Sequence, residues 1–153
     1  MKLERSTWLP ARADTCIRAV KTPALLQAVA APLIRFVPVS GHWPARWEPG
    51  RYAVQLNLFG WLPLGEQYIV ISYPDGKDFS LRDNGHSPLI ARWDHLITLV
   101  PEGDGCRYTD RLEIEASWRT PFVWVFAWLF YRHRQRRWLA LARAGRLEDF
   151  AGA

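Results

Sequence analysis

The segment formed by residues 120–144 constrains the fold most, because no other part of the chain is long, periodic and apolar enough to form a central helix. Pro121 suits a first helical turn, where its missing N–H is not needed, and Thr120 stands where a capping residue would be. Gly145 supplies a stop signal directly after the segment. We therefore predict a long helix over residues 120–144.

The two halves of this predicted helix differ in chemistry. Residues 122–131 are all apolar or aromatic, whereas residues 132–137 are mostly basic. We expect the first half to be buried around most of its circumference and the second half to emerge into solvent. A membrane-spanning helix needs about 20 apolar residues, and the apolar run is about half that length, so we predict no transmembrane helix. A wide apolar surface elsewhere in the chain must then cover the first half.

The rest of the chain reads mainly as strands separated by turn residues. Glycine, proline, asparagine and aspartate punctuate the sequence at short intervals, which is typical of antiparallel neighbours. Two short helices are predicted over residues 15–20 and 24–30, with Asp14 as the N-cap of the first and the Thr22-Pro23 step opening the second. The predicted strands cover residues 3–11, 33–39, 51–59, 66–73, 79–83, 91–99 and 106–116.

This order of elements predicts an α+β fold. A sheet of about seven strands has one apolar face to cover, and the helix over residues 120–144 is the only element large enough to cover it. The length of 153 residues and a hydrophobic content of 49% suffice for a core of this kind. No repeat or linker interrupts the chain, so we predict one domain over residues 1–153, with residues 146–153 as a short tail.

Composition also limits the compartment and the partners. The N-terminal residues lack an apolar signal region, and Cys16 and Cys106 cannot form a disulfide framework, so we expect two semi-buried thiols in a cytoplasmic protein. The net charge of +5 favours an anionic partner. No nucleic-acid motif accompanies the basic residues, and we expect no nucleic-acid partner. A weak membrane-surface contact remains open for four clustered arginines, namely Arg132, Arg134, Arg136 and Arg137.

Two polar residues fall on predicted inward faces of neighbouring strands. Side chains alternate along a strand, so His95 faces inward with Trp93, and Asp110 faces inward with Tyr108. If the intervening turn spans about residues 100–105, His95 lies opposite Asp110, or diagonal to it after a two-residue slip. We therefore predict that the two side chains are close enough to touch.

Such a pair has two interpretations. As a catalytic pair, His95 and Asp110 would act as general acid and base, with the carboxylate orienting the imidazole and favouring its charged form. As a structural clasp, they would fix the register of the long helix, with further donors from residues 132–134. We favour the clasp, because no nucleophile or oxyanion site accompanies the pair. We predict no metal site and no cofactor, since the scattered His42, His86, Asp83 and Asp94 lack ligand spacing.

Four short stretches add a resemblance to a known superfamily. They are FGWLPLG at residues 59–65, WDH at 93–95, YTDR at 108–111 and FYRHR at 130–134. Together with the element order, they resemble the START-like or SRPBCC superfamily, which includes the birch-pollen-allergen fold, polyketide cyclases and coenzyme-Q-binding proteins. The resemblance implies a helix-grip fold, in which a curved antiparallel sheet wraps a long C-terminal helix and leaves an elongated apolar cavity.

The many aromatic side chains favour a function that uses such a cavity. Large rings with one polar atom suit a pocket that holds a flat or oily molecule by contact. The residues that we predict to bind the ligand are Trp61, Tyr68, Trp93, His95, Tyr108, Asp110, Trp124, Trp128 and Tyr131.

Three hypotheses about function follow. The first is a non-catalytic carrier or sensor of a lipid, an isoprenoid or a polycyclic aromatic molecule. The second is a cyclase, dehydratase or hydrolase that uses His95 and Asp110. The third is a peripheral membrane or protein-interaction module that acts through its arginine-rich helix end, and the apolar loop at residues 61–64 is either a cavity lip or a membrane-touching tip. The oligomeric state stays open.

Overall fold

The computed structural model describes residues 1–152 and contains one antiparallel sheet with four α-helices. The strands are β1 (Lys2–Leu9), β2 (Ile34–Pro38), β3 (Gly50–Leu58), β4 (Leu62–Ser72), β5 (Phe79–Gly85), β6 (Arg92–Glu102) and β7 (Gly105–Glu115). The helices are α1 (Ala13–Val20), α2 (Pro23–Ala30), α3 (Thr120–Arg143) and α4 (Glu148–Ala151), and a 3-10 turn (Ser117–Arg119) precedes α3.

The sheet confirms the predicted architecture. Its strand order is β1-β7-β6-β5-β4-β3-β2, and every pairing is antiparallel. β2 to β7 form a meander, and β1 closes the sheet beside β7 at the far edge. α3 crosses the inner face of this sheet and also packs on β1 and α2. The chain therefore has the α+β architecture that the order of elements predicted and the helix-grip fold that the resemblance implied.

The predicted turn at residues 60–65 is wrong in part, because β4 begins at Leu62. Pro63 and Gly65 pair with Asn57 and Leu56 of β3 across a β-bulge, which absorbs the irregular backbone of this segment. Pairing with the neighbouring strand thus overrides the turn-forming tendency of proline and glycine. Similarly, β5 runs on to Gly85 instead of stopping at a predicted Asn84-Gly85 turn, because its last residues pair with β6.

The helix ends differ from prediction at two caps. α1 begins at Ala13, so Asp14 lies in its first turn and the N-cap is Arg12. Thr120 does not cap α3, because its hydroxyl accepts from the backbone N–H of Ala116 and donates to the carbonyl of Ser117. The other end signals are confirmed: Thr22 caps α2, Pro121 lies in the first turn of α3, and Gly145 follows α3 with a φ of 67°.

The predicted burial of α3 is wrong in both halves. In the apolar half, Phe122 is 71% exposed and Val125 is 52% exposed. In the basic half, Arg134 and Gln135 are buried. The buried residues recur at helical spacing from Ala127 to Ala142, because this face of the helix packs on β1, β7 and α2. They are Ala127, Phe130, Tyr131, Arg134, Gln135, Trp138 and Ala142.

The segment after α3 is more structured than a tail. Leu147 and Ala151 are buried beside α1, and the hydroxyl of Thr15 donates to the Glu148 carboxylate over 2.8 Å. The last residue of the predicted tail, Ala153, lies outside the described residues. Cys16 and Cys106, expected to be semi-buried, are completely buried, and the neighbouring Cys106 thiol together with burial raises the pKa of the Cys16 thiol. Within residues 1–152, every helix is too short or too polar to cross a membrane.

Candidate functional site

A cavity of about 640 Å³ lies between α3 and the inner face of the sheet. Its wall is mostly aliphatic and aromatic, because the inward positions of β4, β5 and β6 carry branched side chains and α3 contributes phenylalanines. The principal apolar lining residues are Leu25, Ile69, Ile71, Leu81, Ile97, Phe126 and Phe130. The space therefore suits an apolar molecule.

The cavity opens to solvent beside the start of α3. Trp118 is 70% exposed and Phe122 is 71% exposed, yet both line the cavity. Leu64 at the start of β4 and Leu89 in the loop after β5 are exposed lining residues as well. The mouth is thus framed by large apolar side chains, and the exposure of Phe122 follows from its place at this opening.

Four polar side chains face the cavity from its buried wall. They belong to Gln67 on β4, Asp83 on β5, His95 on β6 and Arg134 on α3. Three of them stand on adjacent strands, and the arginine approaches from the helix on the other side. Polar groups in an otherwise apolar pocket fix the orientation of a ligand, so this cluster defines the polar end of the site.

Asp83 fills a gap in the ladder between β4 and β5. Its carboxylate accepts the backbone N–H of Val70 over 2.9 Å, and direct strand pairing there is limited to Ile71 with Asp83 and Ser72 with Arg82. Protein surrounds the carboxyl group, although the cavity reaches it. Burial raises the pKa of Asp83 to about 7, and the hydrogen bond from Val70 offsets only part of that effect.

Arg134 brings a buried cation to the same cavity. It is 5% exposed, and its Nε donates to the hydroxyl of Tyr108 over 3.2 Å. Burial opposes its charge, but the nearby Tyr108 and Asp110 raise the pKa of Arg134 above its ordinary value. The guanidinium is therefore charged at every physiological pH.

Asp110 is the centre of a buried hydrogen-bond network behind the cavity wall. Its Oδ1 accepts from Nε2 of His95 over 2.7 Å and from the hydroxyl of Tyr108 over 2.6 Å. Its Oδ2 accepts from Nε2 of Gln135 over 2.9 Å. Gln135 also donates to the carbonyl of Arg5 and accepts from the hydroxyl of Thr7. The network joins β1, β6, β7 and α3.

The predicted contact between His95 and Asp110 is confirmed, in its diagonal form. His95 pairs with Leu112 and Asp110 pairs with Ile97, which is the two-residue slip. The donors expected from residues 132–134 are not the ones used, since Gln135 donates to Asp110 directly and Arg134 reaches it through Tyr108. His133 instead contacts the carbonyl of Ala31, with its Nε2 over 2.7 Å.

The protonation states differ from the expected charged imidazole. Burial lowers the pKa of His95, and this effect exceeds the opposing influence of Asp110. Burial by itself would raise the pKa of Asp110. Hydrogen bonds from His95 and Tyr108 and the charge of Arg134 outweigh this effect and hold the pKa of Asp110 below its usual range. The pair therefore consists of a neutral imidazole whose Nε2–H donates to an ionised carboxylate.

Only three of the nine residues predicted to bind a ligand line the cavity, namely Trp93, His95 and Tyr131. Tyr108 and Asp110 lie behind the wall in the buried network. Tyr68 faces the outer side of the sheet, where the guanidinium of Arg51 lies 3.7 Å from its ring centroid. Trp61 is 73% exposed in the turn before β4 and does not line the cavity, so of the segment 61–64 expected as a cavity lip only Leu64 reaches the cavity.

The two remaining predicted residues lie on α3 away from the lining. Trp124 donates from Nε1 to the carbonyl of Lys2, and Trp128 packs beneath the guanidinium of Arg132. Their placement follows from the rotation of α3, whose cavity-facing positions include Phe122, Phe126 and Phe130.

Sequence reasoning missed Asp83 and Arg134 as cavity residues. Asp83 shares a strand face with the apolar Leu81, and a polar residue at an apolar position of a strand is a readable signal. Arg134 follows Phe130 and Ala127 at helical spacing on the buried face of α3, which the compositional boundary at residue 132 concealed.

Burial also corrects the proposed basic contact surface. Arg134 faces the interior and cannot take part in a membrane contact, while Arg137 donates to the carbonyl of Ala28. Asp94, one of the four scattered residues considered as metal ligands, forms an ion pair with Arg82 over 2.7 Å. In residues 1–152, no three histidine, cysteine, aspartate or glutamate side chains are grouped so that they would hold a metal ion.

A curved sheet, a long C-terminal helix across its concave face and a cavity between them define the helix-grip fold. A START superfamily protein from Mycobacterium smegmatis superposes with a TM-score of 0.62 at 16% identity, covering 94% of this chain and 97% of that chain. Protein CV1439 from Chromobacterium violaceum gives a TM-score of 0.66 at 15% identity, covering 92% and 96% respectively. The Aha1 dimer structure from Colwellia psychrerythraea gives 0.64 at 8% identity, covering 93% and 96%.

These likenesses show the fold, and the family follows from the sequence. The chain belongs to the family described as Domain of unknown function (DUF8410), whose model matches residues 9–142. No curated protein matches the chain.

Proposed function

We propose that this protein binds and carries a hydrophobic small molecule in the cavity between α3 and the sheet. The observation that supports this proposal is the cavity itself, with a volume of about 640 Å³ and an apolar wall. Pockets that enclose most of a small ligand have volumes of roughly 300 to 1,000 Å³, so the size is suitable. Removing apolar surface from water contributes about 25 cal/mol per Å², which supplies the affinity for an oily ligand.

The mouth supports a role in carrying. A molecule could enter and leave between Phe122 on α3 and Leu89 on the opposite loop without unfolding of the sheet, since both side chains lie at the solvent boundary. Large apolar side chains at such an opening lower the cost of bringing an apolar ligand across it.

The arrangement of polar groups favours carrying over acid–base catalysis by His95 and Asp110. All three hydrogen bonds to Asp110 come from the protein, and the carboxylate is not part of the cavity wall. A general base must reach the proton that it abstracts, and since Nε2 of His95 is engaged with Asp110, only the other ring nitrogen could take that role. We infer that the pair acts as a clasp between α3 and three strands.

Native mass spectrometry of the purified full chain tests the proposal. We expect mass additions that disappear under denaturing conditions, and saturable fluorescence enhancement when the neutral apolar dye Nile red is added to the delipidated protein. A protein that shows neither co-purified ligand nor saturable dye binding would contradict the carrier function.

A further inference from the structure

The polar cluster of the cavity lies far from the mouth. Arg134 follows Phe122 by twelve residues on α3, which corresponds to about 18 Å along the helix axis. Between them, Phe126 and Phe130 line the cavity from the same helix. If one end of a ligand contacts Arg134, the apolar remainder of the ligand would therefore lie against the rings of Phe126 and Phe130.

The guanidinium of Arg134 has donors that the protein does not use. Of its five N–H groups, the one on Nε donates to Tyr108, and the face of the group lies 5.8 Å from the Tyr131 ring centroid. Within residues 1–152, the two Nη atoms have no hydrogen-bond acceptor, and no carboxylate oxygen lies within 4.0 Å of them. Both Nη atoms keep some accessible surface, and Arg134 lines the cavity, so a ligand in the cavity can contact them.

This arrangement is unusual for a buried charge. A buried cation is costly unless it is paired and hydrogen-bonded, and Arg134 is 5% exposed. The nearby carboxylate of Asp110 already accepts hydrogen bonds from His95, Tyr108 and Gln135, and Arg134 reaches it only through the Tyr108 hydroxyl. The remaining donors of Arg134 thus point to an acceptor that is not part of the chain.

Asp83 complements Arg134 on the other wall. Its carboxyl group lines the same cavity, and around neutral pH a fraction of it carries a proton, because burial raises its pKa to about 7. A protonated carboxyl donates one hydrogen bond to an oxygen acceptor. A ligand oxygen between the two walls would then find a cation on the helix and a hydroxyl donor on the sheet.

We propose that the ligand is an amphipathic molecule with a carboxylate head group, which accepts hydrogen bonds from the two Nη atoms of Arg134 while its apolar chain extends toward Phe122. This inference rests on the proposed function, since it names the chemistry of the molecule that the cavity carries. Guanidinium and carboxylate match as a planar, two-point pair, and the low polarity of the surrounding wall strengthens that pair.

A set of ligands that share one alkyl chain tests the head group on the unmodified protein. Dodecanoic acid, dodecanol and dodecylamine are titrated at pH 7 against bound Nile red, and displacement gives their relative affinities. We expect the acid to bind at least tenfold more tightly than the alcohol, and the amine to bind most weakly because it would approach a buried cation.

Two matched variants then locate the preference. Arg134→Met should reduce the preference for the acid over the alcohol to less than about threefold while Nile red still binds. Arg136→Met, which removes a charge from an exposed position two residues further along α3, should leave the preference unchanged. If Arg134→Met fails to fold, Arg134→Lys keeps the charge without the two-point geometry and should weaken the preference in part.

The outcomes separate this inference from the proposed function. Equal binding of acid and alcohol by the unmodified protein, with Nile red bound, would overturn the head-group inference and leave the carrier function standing. Tightest binding of the amine would assign the polar end to Asp83 and would also overturn it. Failure of Nile red and all three ligands to bind would overturn the carrier function itself.

Discussion

At the residue scale, the carboxylate of Asp110 accepts hydrogen bonds from three buried side chains. Replacing it with alanine leaves the Nε2–H of His95, the hydroxyl of Tyr108 and the amide of Gln135 without their acceptor. Breaking a buried charged network of this kind typically costs about 3 to 5 kcal/mol. We expect Asp110→Ala to lower the free energy of unfolding by that amount, as measured by urea denaturation.

Asp104→Ala is the matched control for this substitution, because Asp104 lies exposed in the turn between β6 and β7. It should change the free energy of unfolding by less than about 0.5 kcal/mol. A variant Asp110→Ala that unfolds at the same urea concentration as the unmodified protein, yet no longer binds Nile red, would show that the residue serves binding and not the clasp.

Asp83 predicts a pH dependence of the opposite sign from that of an ordinary ion-paired aspartate. Its pKa is about 7 in the folded chain and about 3.9 in an unfolded one, so the folded chain holds the proton more tightly. Its contribution to stability is therefore complete below about pH 4 and is lost as the pH rises to about 7. Arg134, which faces it from α3, keeps its charge across this range, and burial lowers the pKa of His95, which faces it from β6.

Asp83→Asn removes this titration and keeps an acceptor for the N–H of Val70. We expect the advantage of the variant over the unmodified protein in free energy of unfolding to grow by about 2 kcal/mol between pH 5 and pH 8. Urea denaturation at both pH values measures the difference. The exposed Asp78→Asn serves as the control, and identical pH profiles for Asp83→Asn and the unmodified protein would contradict the prediction.

At the element scale, the junction of β1 and β7 depends on the absence of a side chain at Gly105. A Cβ there would collide with the backbone carbonyl of Leu9 and come within 2.6 Å of the indole ring of Trp8. Since a strand carbonyl cannot move without breaking its pairing, we expect Gly105→Ala to cost at least about 2 kcal/mol of stability. Thermal or urea unfolding measures the loss.

Gly103 in the preceding turn provides the comparison. It has a φ of 58°, but a Cβ there would meet nothing within 4 Å. Gly103→Ala should therefore show only the backbone penalty of about 1 kcal/mol. Equal losses for the two variants would show that the β1–β7 junction tolerates a side chain.

The elements themselves were largely readable from the sequence, whereas the faces of α3 were not. Strand alternation placed His95 and Asp110 correctly on the inner face. Side chains alternate between the two faces of a strand, so the apolar positions of the strand identify which face is buried. For α3, the change in composition at residue 132 suggested that the apolar N-terminal half is buried and the basic C-terminal half is exposed. The actual boundary runs along the helix, because a helix resting on a sheet buries one stripe, and this stripe carries Arg134 into the interior.

At the scale of the whole molecule, the sequence predicted a cavity but only part of its wall. β4 shows why: Tyr68 and Val70 on one face compete with Ile69 and Ile71 on the other, so both faces read as apolar. Only the pairing with β3 and β5 decides that Gln67, Ile69 and Ile71 point inward. The polar end of the site could not be predicted from the sequence either, because its residues come from separate strands and a helix that only the tertiary structure brings together.

The cavity as a whole predicts the effect of filling it. Leu81 lines the cavity from β5 and is 4% exposed, so a larger side chain at this position extends into the open space. We expect Leu81→Trp to lower the affinity for Nile red at least tenfold, while the free energy of unfolding changes by less than about 1.5 kcal/mol because the added ring enters a cavity and displaces no packed atoms. Dye titration and urea denaturation measure the two effects.

Val37→Trp is the matched control, because Val37 lies on edge strand β2 and is 37% exposed outside the cavity wall. It adds the same ring to the protein and should leave dye affinity within about twofold. Retained dye binding in Leu81→Trp would place the dye outside the cavity, because a ring of that size at Leu81 occupies the space between β5 and α3. Loss of binding in Leu81→Trp alone would tie the binding activity of the whole molecule to the space that α3 and the sheet enclose.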